Sequence, residues 1–307
     1  MSFYKKLLGF LFSILIVFLL IFCYENLFDI RLSNLQERLP YNSAWETKPL
    51  DKEEKSLVAT IFTQPFTYHS EGGQSYVFTS ADDQYVLKLF KYKRFRPAWF
   101  MNFLPNVGFF KEMKESHRIK RAAKLERVFR GHQVAYDFIR EESALVAVQL
   151  NASHQPQIIK LIDKIGFSHS IDLGQTAYVL QKKGEMLRRC FARCLNQNQV
   201  EEVKKRISQI FAFYLAEYQK GIHDEDHGIM QNFGFIDRQP FHLDLGKFSA
   251  DESYRSLEVY RPELIRVAFR INLWMNKYYP SYASEIKLHM EKELSHFFNE
   301  PFTFGSF

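Results

Sequence analysis

Gly221-Ile222-His223-Asp224-Glu225-Asp226-His227-Gly228-Ile229-Met230-Gln231-Asn232 carries acids near its start and an amide at its end, and Asp244-Leu245-Gly246 follows twelve residues after that amide. Between them, Phe233 to Leu243 reads as two short apolar strands around a turn at Asp237–Pro240. A hairpin of that size returns Asn232 and Asp244 to the same end. Two oxygen donors meeting there suit Mg²⁺, which takes one or two carboxylates plus phosphate and water. An acid a few residues upstream is then placed to orient or deprotonate a hydroxyl nucleophile. Immediately before this stretch, Asn198 to Lys220 predicts a helix, with Val200, Val203, Ile207, Ile210, Phe211 and Leu215 on a broad apolar stripe. It ends at Gly221, as helices commonly do.

Further upstream the period changes. Tyr68 to Ser80 predicts a strand, a turn at Gly72-Gly73, and a second strand; Asp82-Asp83 makes a turn, and Tyr85-Val86-Leu87-Lys88-Leu89-Phe90 is a third strand with Lys88 among apolar neighbours. Lys111 to Leu150 reads as one or two helices. Ile158–Ile162, Ile165–Phe167 and Tyr178–Lys182 read as strands. Pro262 to Phe298 is helical, broken at Pro280.

The order of these features is a glycine turn, a strand lysine, a long helix, an acid-rich loop, then Asp-x-Gly. Over residues 66–250 it resembles the protein-kinase-like fold, which includes protein kinases, aminoglycoside phosphotransferases and atypical bacterial kinases. The seventeen residues between Asp244 and Pro262 resemble the small-molecule and atypical bacterial members rather than eukaryotic protein kinases. More loosely, the layout is similar to membrane-associated proteins of chlamydia-like bacteria.

The resemblance implies an α+β, two-lobed kinase-like fold after one N-terminal transmembrane helix, with an antiparallel sheet in the small lobe and a mainly helical second lobe. The divisions are residues 1–28 as anchor, 29–65 as connector, 66–181 as small lobe with a basic aromatic insertion, and 182–307 as helical lobe. It implies a phosphotransferase using ATP and Mg²⁺ on an unidentified acceptor. Gly72, Gly73 and Ser75 would offer backbone N–H groups to phosphate and Lys88 would pair phosphate oxygens. Glu142, with Glu141 next, would hold Lys88, and Asn232 and Asp244 would bind the metal. The family's usual form is His-x-Asp, four residues, then Asn. Counting back from Asn232 lands on His227, with Asp226 one residue early and Asp224 three early, so Asp226 stands as base with Asp224 as its substitute.

Composition bounds the alternatives. A chain of 307 residues with Phe 31 and Tyr 16 is long enough for one two-lobed domain or two small ones, and too aromatic to be disordered. Cys23, Cys190 and Cys194 are too few and too odd in number for a disulfide framework; Cys190 and Cys194 read as small residues on one helix. Leu7 to Tyr24 is almost purely apolar and, as a helix, reaches about 27 Å, close to hydrocarbon thickness. No small-x-small cleavage site follows it, so it reads as a single-pass membrane anchor rather than a signal peptide. Lys5 and Lys6 favour the N-terminus inside, whereas ATP use favours a cytoplasmic domain. These two expectations conflict.

The formal net charge is +6, and the stretch Lys88 to Arg130 alone holds thirteen Lys or Arg against three Glu. Phe95, Trp99, Phe100, Phe103, Phe109 and Phe110 are interleaved with those cations, a pattern that suits an anionic membrane surface through residues 91–130, ahead of nucleic acid. Other readings of the acid loop are a metal site built on His223, Asp224, Asp226 and His227, a pseudokinase, and a non-catalytic module binding anionic membrane or a protein partner.

Overall fold

The computed structural model describes residues 2–27, 35–37, 39–153, 155–226 and 228–305. Its architecture is α+β: an antiparallel-rich sheet, then a helical C-terminal part. The chain opens with helix α1 (Ser2–Leu27). Helix α2 (Lys52–Ile61) starts on a reciprocal cap: Asp51 Oδ1 accepts from the Glu54 N–H and Glu54 Oε2 from the Asp51 N–H, each at 2.8 Å. Two orphan donors are satisfied at once, which places a helix inside the stretch read from sequence as connector.

Strands β1 (Phe66–Glu71), β2 (Ser75–Ser80) and β3 (Tyr85–Phe90) follow. Helix α3 (Gly108–Phe138) is succeeded by β4 (Leu145–Gln149), β5 (Ile158–Ile162), β6 (Ser168–Asp172) and β7 (Tyr178–Lys182). Together they make a seven-stranded sheet of order β4-β7-β3-β2-β1-β5-β6. Neighbours are antiparallel except β1 and β5, where Phe66 faces Leu161 in parallel register.

Two sequence expectations shift here. The helix read through Leu150 stops at Phe138, and Leu145 already belongs to β4; Ala144, at φ 54, turns the chain. Ile165–Phe167 is not a strand but the β5–β6 turn. Gly166 there takes φ 91, and Asp163 Oδ1 accepts from the N–H groups of Ile165 and Phe167.

The second part contains β8 (Glu185–Met186), α4 (Leu187–Asn196), α5 (Val200–Gln219), β9 (Ile222–Asp224), α6 (Ile229–Asn232), β10 (Phe233–Ile236), β11 (Gln239–His242), β12 (Phe248–Ala250), α7 (Leu257–Tyr278) and α8 (Pro280–Phe298). Strands β11-β10-β8 form one small sheet and β12-β9 another. Helix α5 stops at Gln219 with Lys220 as its cap, and Gly221 follows at φ 70, the left-handed residue that commonly succeeds a helix end.

Three apolar clusters form the interior. One, with Phe66, Phe78, Leu87 and Leu180, lies on one face of the large sheet. Another, with Phe191, Phe211, Ile271 and Met290, is the core of the helical part. The third joins Phe90 and Phe129 to Ile222, Leu245 and Phe248, so the acid loop and the Asp244 segment stand on a core shared with β3 and α3. Cys190 and Cys194 are buried in the helical core, and burial pushes the Cys190 thiol up to about 12.

Among the described residues no helix is long and apolar enough to cross a membrane, so the expected span is not found as such. In α1 the side chains from Lys6 to Phe22 are exposed, Leu8 to 69 %.

Candidate functional site

The hairpin read from the sequence is present, one turn tighter than expected. Asp237 and Arg238, at φ 48 and 79, are its two turn residues, and Gln239 and Pro240 fall in β11. A two-residue loop of type I′ takes left-handed backbone at both positions, and Pro240 lies on an edge strand, where a missing N–H is tolerated. Phe233 faces His242, and the Leu243 N–H donates to the Asn232 carbonyl at 2.7 Å. Asn232 and Asp244 therefore emerge side by side and line one cleft of about 700 Å³.

Lys88 lines the opposite wall. Its neighbours in register are Val77 and Val179, and its ammonium donates to the carbonyl of Leu243. Burial pushes this amine down to about 8, while the Asp244 carboxylate acts to hold its charge. The glycine turn closes the end of the cleft. Gly72 N–H donates to Ser75 O at 2.9 Å, and a Cβ on Gly73 would meet nothing within 4 Å. Gly72, Ser75 and Gln74 line the cleft. The Gln74 side chain reaches Gly246, where a Cβ would come within 2.3 Å of its Oε1, and that oxygen is buried without a hydrogen-bond partner.

Glu142 does not meet Lys88. It lies in the turn after α3 has ended, and its carboxylate pairs with Lys220 at the end of α5. Glu141, beside it, is exposed in the same turn. The side chain that α3 does present to the cleft is His132. Its Nδ1 is 2.8 Å from Val128 O, its ring stands edge-on to Phe90 at 5.2 Å, and burial pushes it down to about 4. The helix can come this close because Gly131 faces the Asp244 segment: a Cβ there would lie 2.6 Å from Leu245 O. Gln181 links the two walls, its Nε2 donating to Ser143 O and His242 O at 2.7 Å each. Sequence reasoning missed His132, Gln74 and Gln181. Gln74, between Gly73 and Ser75, had the only local signal, a polar side chain in the glycine turn.

The two candidate bases separate. Asp224 ends β9, opposite Phe248 of β12, and its carboxylate accepts from the Asp226 N–H at 2.8 Å. Burial pushes it up to about 7, against the opposing pull of His242. Asp226 accepts from the Gly228 N–H at 3.1 Å and pairs with Lys247 at 3.0 Å. A Cβ on Gly228 would sit 3.2 Å from Asp226 Oδ1 and 3.1 Å from Asn232 Nδ2, so the acid and the amide flank one glycine. Behind them His242 Nε2 meets Glu217 at 3.0 Å; both are buried, and although burial disfavours its cation, Glu217 holds His242 above its ordinary value.

Of the transition-metal reading, His223 instead stacks on Tyr254 at 3.6 Å, and His227 lies outside the described residues. No group of three or more His, Cys, Asp or Glu that could hold a metal occurs among the described residues. The oxygen set at the cleft is one carboxylate, Asp244, with the amide of Asn232 and the unpartnered Gln74 Oε1 near Gly246. Hard oxygen donors with a single acid fit Mg²⁺ shared with phosphate.

No protein-family model and no curated protein matches the chain. Among solved structures it is similar to the bifunctional kinase-methyltransferase WbdD, at 13% identity and TM-score 0.37 over 72% of this chain and 42% of that one. It is also similar to Rv3197 of Mycobacterium tuberculosis, solved with erythromycin, at 12% identity and TM-score 0.33 over 80% of this chain and 61% of that one. The chain thus spans less than two thirds of either.

Proposed function

We propose that the chain is a kinase-like phosphotransferase that uses ATP and Mg²⁺ and is held at a membrane. The observation that carries the reading is the convergence of Lys88, Asn232 and Asp244 on one cleft, from a strand of the large sheet and from both ends of the β10–β11 hairpin. A buried amine facing one carboxylate and two amide oxygens is a poor hydrolytic centre and a suitable holder for a metal-bound polyphosphate.

In this mechanism Lys88 holds phosphate oxygens with the donors left after its bond to Leu243. In the Gly72–Ser75 turn the Gly72 N–H is taken by Ser75 O, so the backbone part of the phosphate cradle falls to Gly73, which brings no side-chain bulk, and its neighbour Gln74. Asn232, Asp244 and Gln74 Oε1 hold the metal, which, when bound, neutralises charge on the phosphate oxygens. Asp226 orients the acceptor hydroxyl and takes its proton. Asp224, through the Asp226 N–H, sets the position of that base. Rate acceleration in such a site comes from positioning and charge neutralisation rather than covalent chemistry.

Membrane attachment is supported by the exposed apolar residues of α1 and by α3, whose first turns expose Phe109 to 72 % beside Lys111, Lys114, Arg118 and Lys120. The same surface favours a second reading: a non-catalytic, pseudokinase-like module that binds anionic membrane. Thermal denaturation of the full chain in detergent with ATP, with and without Mg²⁺, separates the two. The first reading expects stabilisation that requires Mg²⁺. Identical curves under all conditions would leave the membrane module.

A further inference from the structure

Asp226 does not line the Lys88 cleft. It opens instead on a neighbouring pocket of about 560 Å³, and Gln231 lines both. One wall of that pocket is a single face of α7, where Arg270, Trp274, Lys277 and Tyr278 recur at helical spacing. Lys247 also lines it, but its charge is matched by Asp226 at 3.0 Å. Arg270 and Lys277 have no carboxylate partner among the described residues and are exposed at the pocket, with the Lys277 ammonium 5.1 Å from the Tyr278 ring. The Trp274 ring is fixed from behind by Phe191 and Tyr279, at 6.3 and 5.3 Å between centroids.

We infer that this pocket takes the phosphate acceptor, and that the acceptor is an alcohol carrying its own anionic group, a carboxylate or phosphate. The inference rests on the phosphotransferase reading for the fate of the hydroxyl, but the recognition is independent of it. With Asp226 and Lys247 cancelling, Arg270 and Lys277 stand against one further lining acid, Glu225, so the pocket keeps an excess of one positive charge and a neutral alcohol leaves the two cations without a paired counter-charge. An anion answers them, and the planar guanidinium of Arg270 matches a carboxylate or phosphate edge with paired hydrogen bonds. Trp274 and Tyr278 provide flat faces for a sugar ring or a short hydrocarbon body. In the transfer, the acceptor hydroxyl gives its proton to Asp226 while its oxygen bonds to the γ-phosphorus. The bond from that phosphorus to the β–γ bridging oxygen breaks, and ADP leaves with the electron pair.

Such an acceptor is either a free sugar acid or sugar phosphate, or the headgroup of an anionic hydroxylated lipid. The test measures ADP release by the full chain in mild detergent, with ATP and Mg²⁺, on matched pairs: glucuronate against glucose, glycerol 3-phosphate against glycerol, and phosphatidylglycerol against phosphatidylcholine vesicles. The anionic member of one pair is expected to have at least a tenfold lower KM. The Arg270→Ala/Lys277→Ala double variant should erase that advantage while the ATP-dependent shift in melting temperature persists. Turnover confined to the lipid pair assigns a headgroup; turnover confined to the soluble pairs assigns a free metabolite.

Equal KM values within every pair overturn the pocket assignment and leave the nucleotide reading intact. Should no nucleotide effect exist, the phosphotransferase reading fails. The pocket is then judged by direct titration with glucuronate and glycerol 3-phosphate, followed by tryptophan fluorescence. Quenching that disappears in Trp274→Phe and in the double variant supports an anion site, and no quenching overturns it.

Discussion

The Lys88 ammonium donates to the carbonyl of Leu243, the residue immediately before Asp244. A strand lysine is thus tied to the backbone of the Asp244 segment rather than to an acid on the helix behind it. The bond uses one of its three donors. The remaining donors and the charge, which Asp244 helps to retain against burial, face the cleft.

Lys88→Met keeps the stem volume and removes the donors. It should abolish Mg²⁺-dependent stabilisation by ATP and weaken nucleotide binding at least tenfold, measured by calorimetric titration. The native protein should also bind less tightly as pH rises. The folded-state amine sits near 8, below the ordinary lysine value, so it is cationic below pH 8 and neutral above. Affinity should therefore fall between pH 7 and 9 in the native chain and stay flat in the variant.

Asp244→Asn leaves an oxygen at the same place but removes the only carboxylate in the proposed metal set. Mg²⁺ binds amides far less readily than acids. Titration of Mg²⁺ at fixed ATP should show the midpoint moving up by tenfold or more. A midpoint equal to that of the native chain would remove Asp244 from the metal set.

The two loop acids should respond oppositely. Asp226→Asn removes the proposed proton acceptor and should lower kcat by about 10²–10⁴-fold with a small change in KM for ATP. Asp224→Asn should act on stability through pH. Burial raises the folded-state value of Asp224 to about 7, above its unfolded value, so the folded chain holds this proton more tightly. Its contribution is complete below the unfolded value and is lost as pH climbs to about 7. Asn mimics the protonated form. The difference in melting temperature, variant minus native, should grow more favourable to the variant from pH 5 to pH 8. A difference that is constant across that range would place Asp224 in a solvated setting.

Deleting residues 1–28 removes α1 and should free the chain from the membrane fraction after a high-salt wash. At low salt it should still bind phosphatidylglycerol vesicles through the cations beside Phe103 and Phe109, which are exposed to 79 % and 72 %. Binding that resists salt would point to apolar insertion by those rings instead.

The parts of the site that could be read in advance are those set by local chemistry. Apolar alternation on either side of Asp237 and Arg238 announces a hairpin, and a hairpin has to return Asn232 to Asp244. Lys88 is marked by its apolar neighbours within one strand. What could not be read depends on distant partners. Nothing in Phe138 to Leu145 signals that the helix stops: there is no Gly or Pro, and Phe138 and Leu145 keep a helical spacing of seven, yet Ala144 takes φ 54 and Glu142 is carried away toward Lys220. His132 has no motif of its own, and only the packing of α3 against the sheet brings it to Lys88. The split between Asp224 and Asp226 follows from β9 pairing with β12, a contact spanning the whole hairpin.

That same packing gives a prediction in which two effects compete. Gly131 lies in the interior of α3, where Ala would ordinarily favour the helix by about 1 kcal/mol. Here a Cβ would sit 2.6 Å from Leu245 O, 2.8 Å from Gly246 C and 3.0 Å from Lys247 N, all backbone atoms that no side-chain rotation can move aside. Forcing an extra carbon into a packed contact costs about 1–3 kcal/mol. The clash should therefore outweigh the propensity gain, and Gly131→Ala should lower the urea midpoint and weaken the nucleotide effect by pushing α3 off the Asp244 segment. Gly73→Ala is the matched control: its Cβ meets nothing within 4 Å and its φ is not in the left-handed region, so its unfolding free energy should stay within about 0.5 kcal/mol of native and its urea midpoint should be unchanged. Equal midpoints for the two variants would mean that α3 retreats from Leu245 without cost. The close approach at Gly131 would then fix the position of neither His132 nor Asp244.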